Sequence, residues 1–250
     1  MTLQRTELEW EYQPGDFFEV AYRHAESEYD ILVEGGRAVA TLSVPQEPVD
    51  EQLENRIGAH LGAIFLVRQL EVHRTYTLKG PLAVYQHAGS RKNVAIRVGS
   101  ASLVMFQGQV DAILRDAAGN ILRDTKAERI AQHTALLDSV APKLALSSTL
   151  RGLLESYSRA VSDPSNEFFH LYEIRDTLVK YYGGEKKARP ALGITRAEWQ
   201  RLGFLANVEA LEQGRHRGEH VAGRRNASDA ELQEARGIVR NWIIAFAQTV

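Results

Sequence analysis

A chain of 250 residues can form one large domain or two ordinary ones, and 44% hydrophobic with 25% charged residues are the proportions of a chain that folds around a core. The lack of any cysteine removes a disulfide framework, thiolate metal sites and a cysteine nucleophile. The formal charge of −2 hides an asymmetry: residues 1–149 carry 15 basic and 19 acidic side chains, residues 150–250 carry 15 and 13, so the second half is the one suited to an anionic partner.

Residues Met1 to Glu11 alternate polar and charged side chains, unlike a signal peptide, and no apolar run approaches the length of a membrane span. A cytoplasmic protein with no membrane partner is the expectation. The first half then reads as strand-rich. Tyr29 to Val33, Ala38 to Val44, Ala63 to Leu70, Ala83 to Gln86 and Val94 to Val98 are short apolar segments bounded by Gly, Pro or charged residues, as strands are. Val110 to Arg115 and Asn120 to Asp124 flank Asp116-Ala-Ala-Gly119, whose glycine supplies the positive φ of a tight reversal, and they predict a hairpin. Asp50 to Leu61 suits a helix among these strands, and Thr125 to Leu144 suits one interrupted near Pro142.

From Ser147 the period becomes helical. Leu150, Leu153, Leu154, Tyr157 and Val161 fall on one face of a helix ending near Ser162. Asp163-Pro164 predicts a capped restart, with Phe168, Leu171, Tyr172, Leu178, Val179 and Tyr182 carrying the next helix to Gly183-Gly184. A short basic, proline-containing connection follows. Thr195-Arg-Ala-Glu198 and Ser228-Asp-Ala-Glu231 match capping boxes; the first opens a helix through Trp199, Leu202, Ala206 and Leu211 toward Gly214, the second a helix through Leu232, Ala235, Ile238, Val239, Trp242 and Phe246. Four such helices can close a small bundle. The expected fold is therefore α+β: a strand-rich domain over residues 1–145, suited to sensing or partner binding, and an all-α bundle over residues 146–250.

Between the last two helices lies Arg215-His-Arg-Gly-Glu-His220, with Arg224 and Arg225 close behind. Cleaving RNA without a metal requires a base for the ribose 2′-hydroxyl, an acid for the leaving oxygen and a cation for the phosphorane. Histidine and arginine suit these tasks. The bland alternative is a solvated basic loop after a helix C-terminus at Gly214. With 23 arginines and 8 histidines the spacing also arises by chance, and Arg68-Gln-Leu-Glu-Val-His73 repeats it in an apolar, strand-like stretch without neighbouring cations, where a structural role is expected. His24, His60, His73, His87, His133 and His170 are scattered, and no zinc-helix pair is present beyond His216 and His220, which Arg215 and Arg217 disfavour as ligands of a dication. No glycine-rich phosphate loop is found. Tyr181-Tyr182 offers base stacking, with core packing at the end of a helix as the default.

Over Asp163 to Val250, about a third of the chain, these residues resemble the HEPN superfamily, whose hallmark is an arginine, then Asn, Asp or His, then a few residues and a histidine, set between helices. Phe168 to Asp176 and Glu198 to Asn207 resemble helices of its small prokaryotic members. The resemblance implies a metal-independent, cofactor-free endoribonuclease acting as a toxin or phage-defence effector. It implies a homodimer through the helical domain, RNA as partner, and an antitoxin or other regulatory protein as a second one. By that resemblance Arg215 binds the scissile phosphate, His220 is the acid or base, and His216 positions one of them. Arg217, Arg224 and Arg225 add phosphate affinity, which Glu219 offsets in part. Glu173 and Asp176 are candidates for orienting a motif arginine across the bundle, the alternative being a solvated helix face. A noncatalytic nucleotide- or RNA-binding or scaffold module is the other reading.

Overall fold

The computed structural model describes residues 2–88, 111–116, 119–215 and 223–250. The fold is α+β, an antiparallel sheet followed by helices. The chain divides into two compact units, Met1–Gly62 with Tyr76–Asp138 and Ala63–Thr75 with Ser139–Val250. No helix of the described residues is long and apolar enough to cross a membrane.

In the first unit β1 (Leu3–Gln13), β2 (Tyr22–Ala25), β3 (Tyr29–Glu34), β4 (Arg37–Leu42) and β5 (Thr77–His87) form one sheet in the order β2-β3-β4-β1-β5. Every pairing is antiparallel. Period-two alternation puts Leu8, Trp10 and Tyr12 of β1, Tyr29, Ile31 and Val33 of β3, and Ala38, Ala40 and Leu42 of β4 on one buried face. The register aligns them, with Leu8 and Ile31 both opposite Ala40. Glu34 pairs with Arg37 across Gly35 and Gly36, whose φ values of 56° and 89° are those a two-residue hairpin turn requires. A separate hairpin joins β6 (Ile113–Arg115) to β7 (Ile121–Asp124), and Gly119 has the positive φ, 86°, expected of its turn. The strand expected at Val94 to Val98, and Val110, lie outside the described residues.

The strand expected at Ala63 to Leu70 is instead the second half of a single helix, α1 (Glu51–Val72). Asp50 caps it, its carboxylate accepting from the Leu53 amide at 3.0 Å. A helix buried on all sides shows the same unbroken apolar run as a buried strand, and nothing between Gly62 and Ala63 interrupts the turn. His73 ends α1 in the left-handed region, φ 44°, its amide donating to the Gln69 carbonyl. As expected, α2 (Thr125–Val140) gives way at Pro142 to a 3-10 turn, Ala141–Ala145.

The second unit contains α3 (Ser148–Ser162), α4 (Glu167–Tyr182), α5 (Glu185–Ala191), α6 (Arg196–Asn207) and α7 (Asp229–Ala247). Helix α4 is central, touching α3, α5, α6 and α7. The expected apolar positions Leu150, Leu153, Leu154, Tyr157, Phe168, Leu171, Trp199, Leu202, Val239 and Trp242 are buried, and the two tryptophan rings stack at 5.0 Å. Both capping boxes form, at Thr195 and Ser228. Three boundaries differ from expectation. Asp163 makes no side-chain cap; a 3-10 turn, Pro164–Asn166, precedes α4. The basic connection contains α5, with Pro190 in its last turn. Helix α6 stops at Asn207, because the chain turns there to form a bridge between Leu211 and Arg225.

Candidate functional site

Arg215 is held where the connection between α6 and α7 turns back on the bundle. Its amide donates to the Ala206 carbonyl at 2.7 Å, and the Gly214 amide donates to the Leu211 carbonyl. A side chain at position 214 would meet the Leu211 and Ala206 carbonyl oxygens at 3.2 and 3.4 Å, so glycine permits this close return of the backbone. Two further bonds, from the Glu212 amide to the Arg225 carbonyl and from the Arg225 amide to the Ala210 carbonyl, tie the near end of the connection to its far end. His216, Arg217 and His220 lie outside the described residues.

The Arg215 side chain meets one face of α4. Its guanidinium carbon is 4.2 Å from the centre of the Tyr172 ring and 5.6 Å from that of Phe169, and Nη1 is 3.6 Å from Asp176 Oδ2. Phe169, Tyr172 and Asp176 stand at i, i+3 and i+7, so α4 presents two aromatic rings and an acid as one stripe. Ring faces attract the cation, and the acid lies beyond direct hydrogen-bond length and is more than half exposed. The guanidinium is oriented by stacking and drawn toward Asp176 without a bidentate lock.

The other expected site residues are placed differently. Glu173 lies on the side of α4 that meets α3, at 3.4 Å from both Arg159 and His170. Arg224 pairs with Glu212 at 3.3 Å. Arg225 donates to both Glu231 oxygens, at 2.7 and 2.8 Å, and to Glu209 at 3.2 Å. Arg225 and the Ser228 cap together hold the Glu231 carboxyl at about 2, and the bonds from Arg225 to Glu231 and Glu209 raise Arg225 above the usual arginine range. Three carboxylates thus compensate the positive patch expected from these two arginines.

A second polar group lies inside the helical unit. Glu167, almost fully buried, accepts two bonds from Arg236 at 2.6 and 2.7 Å. His73 Nε2 stands 3.7 Å from the same carboxylate and its Nδ1 3.2 Å from the Tyr157 hydroxyl. Glu71 pairs with Arg68 at 3.2 Å and with Arg240 at 3.5 Å. A cavity of about 260 Å³ opens against His73, Tyr157, Arg236 and Arg240. Of the pair that repeats the motif spacing, Arg68 therefore lies in α1 and His73 directly follows it, and they do have neighbouring cations, from α7. Burial and the Arg236 charge push His73 down to about 4, and burial raises the Tyr157 hydroxyl above its ordinary range. Neither can exchange a proton readily near neutrality, and Arg236 is committed to its carboxylate. The group suits structure better than acid–base catalysis.

No family model, no curated protein and no solved structure matches this chain.

Proposed function

We propose that the helical unit is a metal-independent endoribonuclease of the HEPN type, acting as a toxin or phage-defence effector on RNA. The observation that supports it is Arg215, the arginine of the Arg-His-x-x-x-His motif, stacked on Tyr172 and drawn toward Asp176 at the point where the motif begins. An arginine held by ring faces keeps the planar fork that a phosphodiester needs, whereas one locked bidentately, as Arg225 is, has committed it. In the reaction one histidine takes the proton of the ribose 2′-hydroxyl and the 2′-oxygen attacks phosphorus. The bond to the 5′-oxygen breaks as an acid protonates it, leaving a 2′,3′-cyclic phosphate and a 5′-hydroxyl. Arg215 balances the charge on the phosphorane, His220 supplies the acid or base, and His216 positions one of them. Two copies of the motif, one from each protomer of a homodimer, complete the cleft.

The test is incubation of the purified protein with total RNA in EDTA. Cleavage to cyclic phosphate ends by the wild type, falling about a thousandfold in Arg215→Ala and in His220→Ala with the fold intact, is the expected result. Equal cleavage by His220→Ala removes that residue from the mechanism. The second reading is a noncatalytic nucleotide- or RNA-binding or scaffold module, and the compensation of Arg224 and Arg225 by Glu209, Glu212 and Glu231 favours its scaffold form. Neither cleavage nor retention of RNA would select the scaffold, and retention without cleavage the binding module.

A further inference from the structure

In the sheet unit, we propose that His24, Glu26 and His60 form a binding site for a divalent transition-metal ion of the zinc class. The inference is independent of the ribonuclease reading. His24 sits on β2 opposite Ile31, so it shares the buried face of the sheet, and His60 reaches that face from α1. Their rings meet edge to face at 4.6 Å. Glu26 follows β2 directly, its amide donating to the Tyr29 carbonyl in the β2–β3 turn, and its carboxylate lies 2.9 Å from His24 Nε2. One ligand atom from each of the three residues lies within 4.8 Å of the others.

The chemistry of His60 points to an ion. Its Nδ1 is 3.0 Å from the Tyr29 hydroxyl, whereas its Nε2 is buried with no hydrogen-bond partner. A buried ring nitrogen without a partner forfeits its solvation, at a cost that a native fold rarely leaves unmet. When Nδ1–H donates to the Tyr29 oxygen, Nε2 carries the bare lone pair, which is the tautomer and outer-shell arrangement of a metal-bound histidine. Two imidazoles and a carboxylate suit zinc and its neighbours better than calcium or magnesium, which prefer oxygen. Ligands about 2.1 Å from a tetrahedral ion stand about 3.4 Å apart, so the most widely spaced pair, within 4.8 Å, must close by at most about 1.4 Å. Glu26, nearly half exposed, can supply that movement by changing rotamer. Three protein ligands leave a fourth position for water.

Full-length protein stripped with EDTA and dialysed is titrated with zinc chloride, by calorimetry, and with cobalt(II) by absorption. The expected result is one equivalent bound per chain and a thermal midpoint raised by about 5 °C at a hundredfold excess over the dissociation constant. His24→Gln/His60→Gln should abolish uptake, and Glu26→Gln should weaken it at least tenfold. Because His60 is packed in the unit, the single variants Glu26→Gln, at a nearly half-exposed position, and His24→Gln keep the test open should the double variant fail to fold. No stoichiometric uptake by the wild type overturns the site. Undiminished uptake by folded His24→Gln and Glu26→Gln overturns it equally, since the ion would then sit elsewhere.

Discussion

The helical unit contains two groups of charges that use the same residue types to opposite ends. Inside, Glu167 meets Arg236 through two short bonds and Glu71 meets Arg68 and Arg240. At the end of α6, Arg215 has ring faces and one exposed acid 3.6 Å away. Charges taken out of water are held only when their partners are complete, so the interior group fixes how α1, α4 and α7 meet. Arg215, 27% exposed, is held by stacking on ring faces instead of by a bidentate pair. Bond geometry and burial separate an organising network from a loosely held surface cation, although sequence spacing gives both an arginine and a histidine five positions apart.

The largest effect should come from breaking the interior group. Glu167→Gln leaves the carboxylate's place to a neutral amide and Arg236 without its counter-charge, and the expected loss is about 3 kcal/mol. Urea unfolding reads it as a lower midpoint at unchanged slope. Removing the exposed carboxylate in Asp176→Asn should cost under about 1 kcal/mol in the same measurement. Equal losses in the two variants would erase the distinction drawn between the groups.

The interior group should also respond to pH. His73 titrates near 6.5 in the unfolded chain and at about 4 in the folded one, because burial and Arg236 disfavour its charged form. Between those values the unfolded chain binds more protons. The stabilisation is thus fully present above about pH 6.5 and is lost as pH falls toward 4, by at most about 3 kcal/mol. Glu167 stands close enough to ease the charging of His73, but Arg236 already neutralises it. His73→Asn suits the left-handed backbone there and removes the titration. Stability of that variant should vary less between pH 6.5 and 4 than in the wild type; an identical slope would place the acid sensitivity in other groups.

Much of the helical unit was legible in the sequence because its signals are local. Capping boxes four residues long, at α6 and α7, and apolar positions at helical spacing specify α3, α4, α6 and α7 without reference to distant residues. Ala63 to Leu70 was not legible, since an apolar run buried on all sides carries no period by which to distinguish helix from strand. Helix α5 escaped because seven mostly charged residues with a proline resemble a loop. The convergence of His24 and His60 depends on the sheet register and on the placing of α1, neither of which a scan for ligand spacing can see. For Glu173 and Asp176, three positions apart on one helix, no local signal chooses between faces; the fold turns the first to Arg159 and the second to Arg215.

That last difference gives the finest test of the proposed Arg215 site, and it rests on the ribonuclease reading. Asp176 touches neither substrate nor reacting atoms in the proposed mechanism; it positions Arg215. Asp176→Asn keeps the shape and removes the charge that draws the guanidinium along α4, and should lower kcat about tenfold with little change in KM, because a misaimed cation loses more at the phosphorane than in the ground state. Asp176→Glu should restore most of the rate, as its longer side chain can span the 3.6 Å gap. Glu173→Gln, at the neighbouring acid turned toward α3, should leave kcat unchanged. A rate that falls equally in Asp176→Asn and Glu173→Gln would mean that the electrostatic field of the helix, and not the aim of one arginine, governs the site.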